Sequence, residues 1–327
     1  MTKKTRWGIM GTGSIAKSFA RGLQDTPNAH LTAVGSRTQE SADIFGDLFS
    51  VPIRCPSYQD LAGLTDIDAI YISTPHPFHK DNTIMCLEAG KPVLCEKPFA
   101  INSLEAEIMV RTARNNGVFL MEAMWSRYLP VMRQVRNWLD KGAIGELSWV
   151  SADFGFRANM DPHSRLFNPE LGGGALLDVG IYVTSFASFV LGPHPDKIHA
   201  LAKIGDTGVD EQNTLLLGYK NGSMAVLTSA VRTATPQEAR IVGTEGTISI
   251  ESPFYKAEKA TLTAGDHVEE IELIIRGNGY NYEAEEVGNC LNQGLLESSI
   301  MPLDETIAIM RVLDDARAQW GLTYPTE

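Results

Sequence analysis

Cysteine is scarce in this chain of 327 residues: only Cys55, Cys86, Cys95 and Cys290 occur. None falls in a CxxC pair and none sits among clustered His or Cys partners, so neither a disulfide framework nor a zinc site is indicated. A reduced, cytoplasmic protein without a metal is expected. Positive charge is also short, with 28 Lys and Arg against 40 Asp and Glu and a net charge of -12. A surface that neutralises nucleic-acid phosphates or anionic lipid needs the opposite balance, so neither partner is expected. The start of the chain lacks the long apolar core of a signal peptide: Met1 to Arg6 is basic, but Trp7 to Met10 is short and runs into a glycine turn. One apolar run, Ala175 to Gly192, approaches the length that spans a bilayer. It carries Asp178, Tyr182, Thr184, Ser185 and Ser188, which reads as a buried helix with a polar stripe.

What is present suffices for a globular fold. Hydrophobic residues make up 43% and charged residues 21%, and the length suits two domains. Through residue 122, short apolar runs alternate with amphipathic stretches, as parallel strands alternate with crossover helices. Strands are expected at Trp7 to Met10, Leu31 to Ser36, Ala69 to Ser73, Pro92 to Cys95 and Val118 to Met121. Helices are expected at Ser14 to Gln24, Gln39 to Phe49, Pro77 to Ala89 and Ser103 to Asn116, with Gly90 and Gly117 as C-terminal caps. Residues 123–327 follow another pattern: a helix, Arg127 to Asp140, a strand, a long loop, a second helix, then a run of strands. Those between about Asn213 and Glu251 are separated by turns such as Lys220-Asn221-Gly222 and predict an antiparallel sheet. Helices Tyr282 to Gln293 and Leu303 to Trp320 close the chain and are free to pack back on the first domain. The strand Ser223 to Arg232 is apolar on both faces, so a sheet covered by helices on one side needs a second cover, and a homodimer through that face is expected.

The first strand runs into Gly11-Thr12-Gly13-Ser14-Ile15-Ala16, a GxGxxA turn. Gly11 permits the tight turn, Gly13 admits a pyrophosphate to the backbone, and Ala16 allows close helix-to-strand packing, while the helix N-terminus offers free amides to the anion. After the second strand stand Ser36 and Arg37, where an NAD site would usually place a carboxylate. Ser36 does not repel a 2'-phosphate and Arg37 can pair with one, so NADP is favoured and NAD is the alternative. Two further strand ends border the same crevice, Thr74-Pro75-His76-Pro77-Phe78-His79 and Glu96-Lys97-Pro98. There His76 and His79 are either ligands or loop anchors.

GxGxxA near the start, Ser73-Thr74-Pro75 at one strand end and Cys95-Glu96-Lys97-Pro98 at another together resemble the glucose-fructose oxidoreductase, inositol dehydrogenase and MocA (Gfo/Idh/MocA) family. Within it, four segments are similar to the group acting on trans-dihydrodiols and D-xylose: Met121 to Arg127, Gly172 to Tyr182, Gly208-Val209-Asp210 and Leu322-Thr323-Tyr324-Pro325. The likeness extends over essentially the whole chain. It implies an α/β architecture, an N-terminal Rossmann domain followed by an α/β domain with a large, mostly antiparallel open sheet. It also implies a nicotinamide cofactor in the first domain, a sugar, polyol or cyclic diol as substrate, and pairing through the open sheet face. Cofactor contacts are expected from Gly11 to Ile15, Ser36, Arg37, Thr74, Pro75, His76, His79, Glu96, Lys97, Trp125 and Arg127.

Oxidising a secondary alcohol requires the hydroxyl proton to leave as hydride passes to the nicotinamide. Asp178 and Tyr182 are four apart on the expected helix and share a face. Tyr182 stands where many family members carry His. A free phenol is a poor base at neutral pH, but a nearby ammonium favours the phenolate. The expectation is therefore that Tyr182 exchanges the proton, Lys97 tunes it and binds the substrate oxygen, and Asp178 orients the hydroxyl or Lys97. The reverse, Lys97 as proton carrier, uses the same residues. Trp125, Phe154 and Phe156 are candidate substrate walls, and the loop Arg157 to Leu171, with Asp161, His163, Arg165 and Phe167, is a candidate cover. Two alternatives remain, an NADPH-dependent ketone or osone reductase and a non-catalytic dinucleotide sensor.

Overall fold

The apolar runs at the start of the chain form a parallel sheet because each is short, buried on both faces and followed by an amphipathic helix. The structure, a computed structural model, describes residues 4–327. In chain order the first elements are β1 (Thr5–Met10), α1 (Ser14–Gln24), β2 (Ala29–Gly35), α2 (Gln39–Phe49), β3 (Ile53–Cys55), α3 (Tyr58–Ala62), β4 (Ala69–Ile72), α4 (His79–Glu88), β5 (Val93–Glu96), α5 (Ser103–Asn116) and β6 (Leu120–Ala123). The strands lie in the order β3-β2-β1-β4-β5-β6, and every neighbouring pair is parallel. This is the Rossmann order, in which the direction of winding reverses between β1 and β4 and opens a crevice at the carboxyl ends of the strands. Phe19 of α1 stacks on Tyr71 of β4 at 3.8 Å and meets Trp7 edge-on at 5.2 Å, all three fully buried.

The chain then forms α6 (Pro130–Asp140), β7 (Leu147–Gly155), α7 (Ile181–Leu191), β8 (Lys197–Ile204), β9 (Asp210–Gly218), β10 (Met224–Ala230), β11 (Ala239–Gly243), β12 (Thr247–Ile250), β13 (Lys259–Ala264), β14 (His267–Glu272), α8 (Tyr280–Asn292) and α9 (Leu303–Trp320). Strands β7 to β14 make one sheet in the order β14-β13-β12-β11-β7-β10-β9-β8. Only the β10–β7 pair is parallel. Two compact units result. The first takes the described residues up to Ala100, with Leu104–Tyr128 and Arg276–Thr306; the second takes Ile101–Ser103, Leu129–Ile275 and Ile307–Glu327.

Helix boundaries follow local signals where those are strong. Helices α1, α2, α5 and α9 begin and end at the residues the pattern predicts. Gly90 and Gly117 have φ of 71 and 62°, the left-handed conformation of a helix stop. The segment expected to start a helix at Pro77 instead opens with a 3-10 turn, His76–Phe78, before α4. That expected from Arg127 opens with a 3-10 turn, Trp125–Tyr128, before Pro130 begins α6. Strands β3, β8, β13 and β14 and helix α3 have no counterpart in the expectation.

In the second unit, α7 packs against β7 and β10. Its face of the sheet presents Val150, Leu215, Leu217, Ala225, Leu227 and Ile241, all buried. The opposite face leaves Met224 57%, Leu216 49% and Leu201 81% exposed, so this sheet is covered on one side. The long apolar run, Pro169–Leu191, is 94% buried inside the protein over its most apolar window.

Candidate functional site

The first unit presents a dinucleotide cradle. Gly11 has φ of 103°, and a Cβ there would lie 2.9 Å from Ser73 Oγ, so both conformation and space call for glycine. Gly13 caps the N-terminus of α1 without any side-chain hydrogen bond, and a Cβ on it would meet nothing within 4 Å. Open space over bare backbone, at a helix start whose amides have no side-chain acceptor, is the arrangement a pyrophosphate fits. Thr12, Ser14 and Ile15 line the same turn and Ala16 is fully buried beneath it. Beyond β2, Ser36 is buried and Arg37 exposed. The cap of α2 is Thr38, whose hydroxyl accepts from the Ser41 N–H at 3.2 Å. Arg37 is therefore not needed as a helix cap.

At the ends of β4 and β5 several of the expected residues act as supports. His79 has no exposed surface, and its ring nitrogens face the carbonyls of Thr74 at 2.7 Å and Pro98 at 2.9 Å. It ties two strand-end loops together, and burial lowers its pKa. His76 lies edge-on to it at 5.8 Å. The Thr74 hydroxyl accepts from Asn82 at 3.1 Å, and Pro75 precedes the 3-10 turn. Glu96 is buried; the Tyr71 hydroxyl donates to its Oε1 and the Lys97 N–H to its Oε2. Lys97 follows β5 directly and is half-buried. Arg127, expected among the cofactor contacts, is only 4% exposed and places its guanidinium 2.7 Å from Glu305 and 3.4 Å from the Ile300 carbonyl. It is a strut to the returning C-terminal segment. Trp125 is buried and stacks on Tyr280 at 4.9 Å.

The second unit presents the residues suited to proton transfer. Between the glycine run and α7, Leu176–Gly180 forms one π-helical turn, and Asp178 lies at its centre. Such turns are frequent at functional sites. Tyr182 follows in the first turn of α7, four residues on, the spacing at which helical side chains share a face. Both are nearly buried, at 4% and 7% exposure. Arg165 Nη1 lies 2.6 Å from Asp178 Oδ1, a charge-assisted contact that aims the carboxyl group. The Tyr182 ring sits 5.3 Å from Phe154 and 5.7 Å from Tyr255, which stack on each other at 4.0 Å. Phe156 meets Phe154 edge-on at 6.5 Å.

Three contributors were not singled out for these roles by the sequence. Tyr255 completes the aromatic wall beside Tyr182, Tyr280 backs Trp125, and Arg165 fixes Asp178 rather than only covering the site. Each lies distant in sequence from its partner or in a loop without periodicity, so only the charge of Arg165 offered a signal. Among the described residues no cluster of His, Cys, Asp and Glu is suited to hold a metal ion.

Comparison with known proteins agrees with the fold. Residues 5–124 match the oxidoreductase family with an NAD-binding Rossmann fold, and residues 132–249 match the GFO/IDH/MocA C-terminal domain. Trans-1,2-dihydrobenzene-1,2-diol dehydrogenase of Xenopus tropicalis is 38% identical over 330 residues, covering 98% of this chain and 99% of the relative. The Homo sapiens protein of that name is 34% identical, covering 98% of each. Among solved structures, a 3-ketoreductase from Actinomadura kijaniata in complex with NADP and TDP-benzene superposes with a TM-score of 0.85 at 26% identity, over 97% of this chain and 98% of that one. An aldose-aldose oxidoreductase from Caulobacter crescentus shares the fold, with a TM-score of 0.88 at 24% identity over 98% of each chain. This chain belongs to the Gfo/Idh/MocA oxidoreductase family and is a nicotinamide-dependent dehydrogenase of it.

Proposed function

We propose that this enzyme is an NADP-dependent dehydrogenase acting on a CH–OH group of a cyclic trans-diol, sugar or polyol. The observation that carries the reading is the nearly buried pair at the start of α7, Asp178 in the π-helical turn against Arg165 and Tyr182 four residues on beside Phe154 and Tyr255. Its support is the likeness to the dihydrodiol dehydrogenases over nearly the whole chain. Gly11, Gly13 and the amides at the start of α1 would hold the pyrophosphate, and Arg37 the 2'-phosphate. When bound, the nicotinamide supplies the acceptor or donor of hydride. The Tyr182 hydroxyl exchanges the substrate's proton, Lys97 favours the phenolate and binds the reacting oxygen, and Asp178, held by Arg165, orients the hydroxyl. Aromatic rings suit the apolar face of a cyclic diol or sugar. The same residues serve reduction of a ketone or osone when NADPH is in excess.

Absorbance at 340 nm tests this directly. Turnover is expected with NADP and at least one of a panel of trans-dihydrodiols, D-xylose and inositols, with kcat/KM for NADP above that for NAD. Arg37→Ala should erase most of that preference, about ten- to a hundredfold for a charge-assisted phosphate contact. No turnover across the panel, or a preference for NAD, would overturn the assignment.

The open sheet face belongs to the same reading as the site of a homodimer. Trp149, Ser151, Val226, Thr228, Arg240 and Ser249 line a shallow cavity on it, beside exposed Met224 and Leu216. An apolar patch of this kind on a sheet is normally covered. Light scattering at micromolar concentration should give twice the chain mass, and Met224→Lys should shift it toward the single chain; a monomeric parent would refute the dimer.

A further inference from the structure

Two sequence motifs are not used by the chemistry above, Gly208-Val209-Asp210 and Leu322-Thr323-Tyr324-Pro325. Both end on the glycine run that precedes the π-helical turn. The Tyr324 hydroxyl donates to the Gly173 carbonyl at 2.8 Å. Oδ2 of Asp210 accepts from the Leu176 N–H at 2.8 Å and from the Asn213 amide at 2.7 Å, and Asn213 Oδ1 accepts from the Ser229 hydroxyl at 2.9 Å. A Cβ on Gly174, where φ is 118°, would collide with Asp210 Oδ1, and one on Gly180 would lie 3.0 Å from Ser229 Oγ. The same network therefore grips the turn at its entrance, at its first amide and at Gly180. Tyr324 is itself held: the Arg317 guanidinium lies 4.9 Å over its ring, its N–H donates to Glu327 at 2.8 Å, and Arg317 pairs with Glu327 at 2.7 Å. Asp210 is fully buried and Tyr324 3% exposed, so neither is available as a surface contact.

We propose that Asp210 and Tyr324 are positioning residues, fixing the backbone of Gly173–Gly180 so that the turn presents Asp178 and Tyr182 in the geometry that proton transfer requires. This rests on the reading of Asp178 and Tyr182 as reacting groups. Small misplacements of such groups cost rate far more than binding, because reaction depends on alignment to fractions of an ångström. Tyr324→Phe deletes one hydrogen bond to Gly173 and keeps the ring under Arg317. Asp210→Asn cannot keep both sides of the carboxyl group: with its oxygen toward the Leu176 N–H and Asn213 it sets an amide against Gly174, and flipped it sets that amide against both donors.

The test is a mutant cycle on the full-length enzyme with NADP and a trans-diol deuterated at the carbinol carbon. Tyr324→Phe is expected to lower kcat about tenfold, to raise the deuterium isotope effect on kcat, and to leave the Kd for NADPH unchanged. In a Tyr182→Phe background the same substitution should cost much less, because its effect passes through the turn. Asp210→Asn should reproduce this pattern, so a folding failure in one variant leaves the other to decide. Unchanged kcat in both variants overturns the proposal. So does an equal loss in both backgrounds with a lowered Tm and an unchanged isotope effect, the mark of a purely structural role. Full activity of Tyr182→Phe and Asp178→Asn with Tyr324 intact refutes the site reading itself, and the proposal with it. Loss in those two variants beside an unaffected Tyr324→Phe refutes only the positioning role.

Discussion

Tyr182→Phe is expected to lower kcat at least a hundredfold, on the order of 3 kcal/mol or more of barrier, with the affinity for NADP(H) nearly unchanged. The substitution removes only the hydroxyl. The ring that remains still fills the space beside Phe154 and Tyr255, so the turn has no packing reason to move. Asp178 does not replace the lost phenol, because its carboxyl group is held by Arg165 at 2.6 Å. A phenol-to-phenyl change that leaves cofactor binding intact but slows turnover marks a group needed in the transition state alone. Pre-steady-state absorbance at 340 nm with NADP and a trans-diol, beside a fluorescence titration with NADPH, separates the two quantities. Near-normal turnover would transfer the proton to Lys97. That residue follows β5 directly and is half-buried, and its ammonium can give up a proton to the developing alkoxide in the reductive direction.

The sequence carried the cofactor unit further than the catalytic one, and the difference is physical. The turn at Gly11 to Ala16 is a local device in which three small residues at fixed spacing state their own conformation. The helices α1, α2, α5 and α9 likewise declare themselves through apolar periodicity. Strand β8 does not, because it is an edge strand with Lys197, His199, Leu201 and Lys203 all exposed, and β14 at the other edge carries Glu269, Glu270 and Glu272 within six residues. Edge strands keep charge to discourage pairing with other chains, which blurs the alternation that identifies a strand. The π-helical turn was hidden for another reason. Asp178-x-Gly180-x-Tyr182 has helical spacing, and its widening accompanies contacts from Asp210, Ser229 and Tyr324, which are distant in the chain. The aromatic partners follow the same rule: Phe154 is readable as a wall, but the ring stacked on it, Tyr255, lies beyond five intervening strands.

Stability should rise as the pH falls from 8 to 6, the reverse of what carboxylates in ion pairs produce. Fully buried acids drive this, Glu122 in the first unit and Asp210 in the second, and Glu283, which burial raises well above the ordinary carboxylate value, acts in the same direction. Glu122 Oε2 accepts from the Thr306 hydroxyl at 3.0 Å and Asp210 Oδ2 from the Leu176 N–H and Asn213, yet each has one oxygen without a partner. Burial raises the pKa of each to about 7, against ordinary values of 4.5 and 3.8. The folded protein therefore binds protons in a range where the unfolded chain has released them. The stabilisation is complete below the unfolded values and is lost as pH rises through 7, so stability falls with pH over this window. For a group titrating near 7 the difference between pH 8 and 6 is on the order of 1 kcal/mol, and roughly 2 to 3 kcal/mol for Glu122 and Asp210 together. Urea unfolding of the cofactor-free protein at the two pH values measures it. Glu122→Gln and Asp210→Asn should each reduce the slope. A flat profile in the parent protein, or an undiminished slope in both variants, would mean that these carboxylates are ionised in the fold and that water or cofactor-linked rearrangement completes their solvation. For Asp210 the consequence reaches the catalytic turn, since the proton it holds near neutrality sits on the carboxyl group that anchors the Leu176 amide.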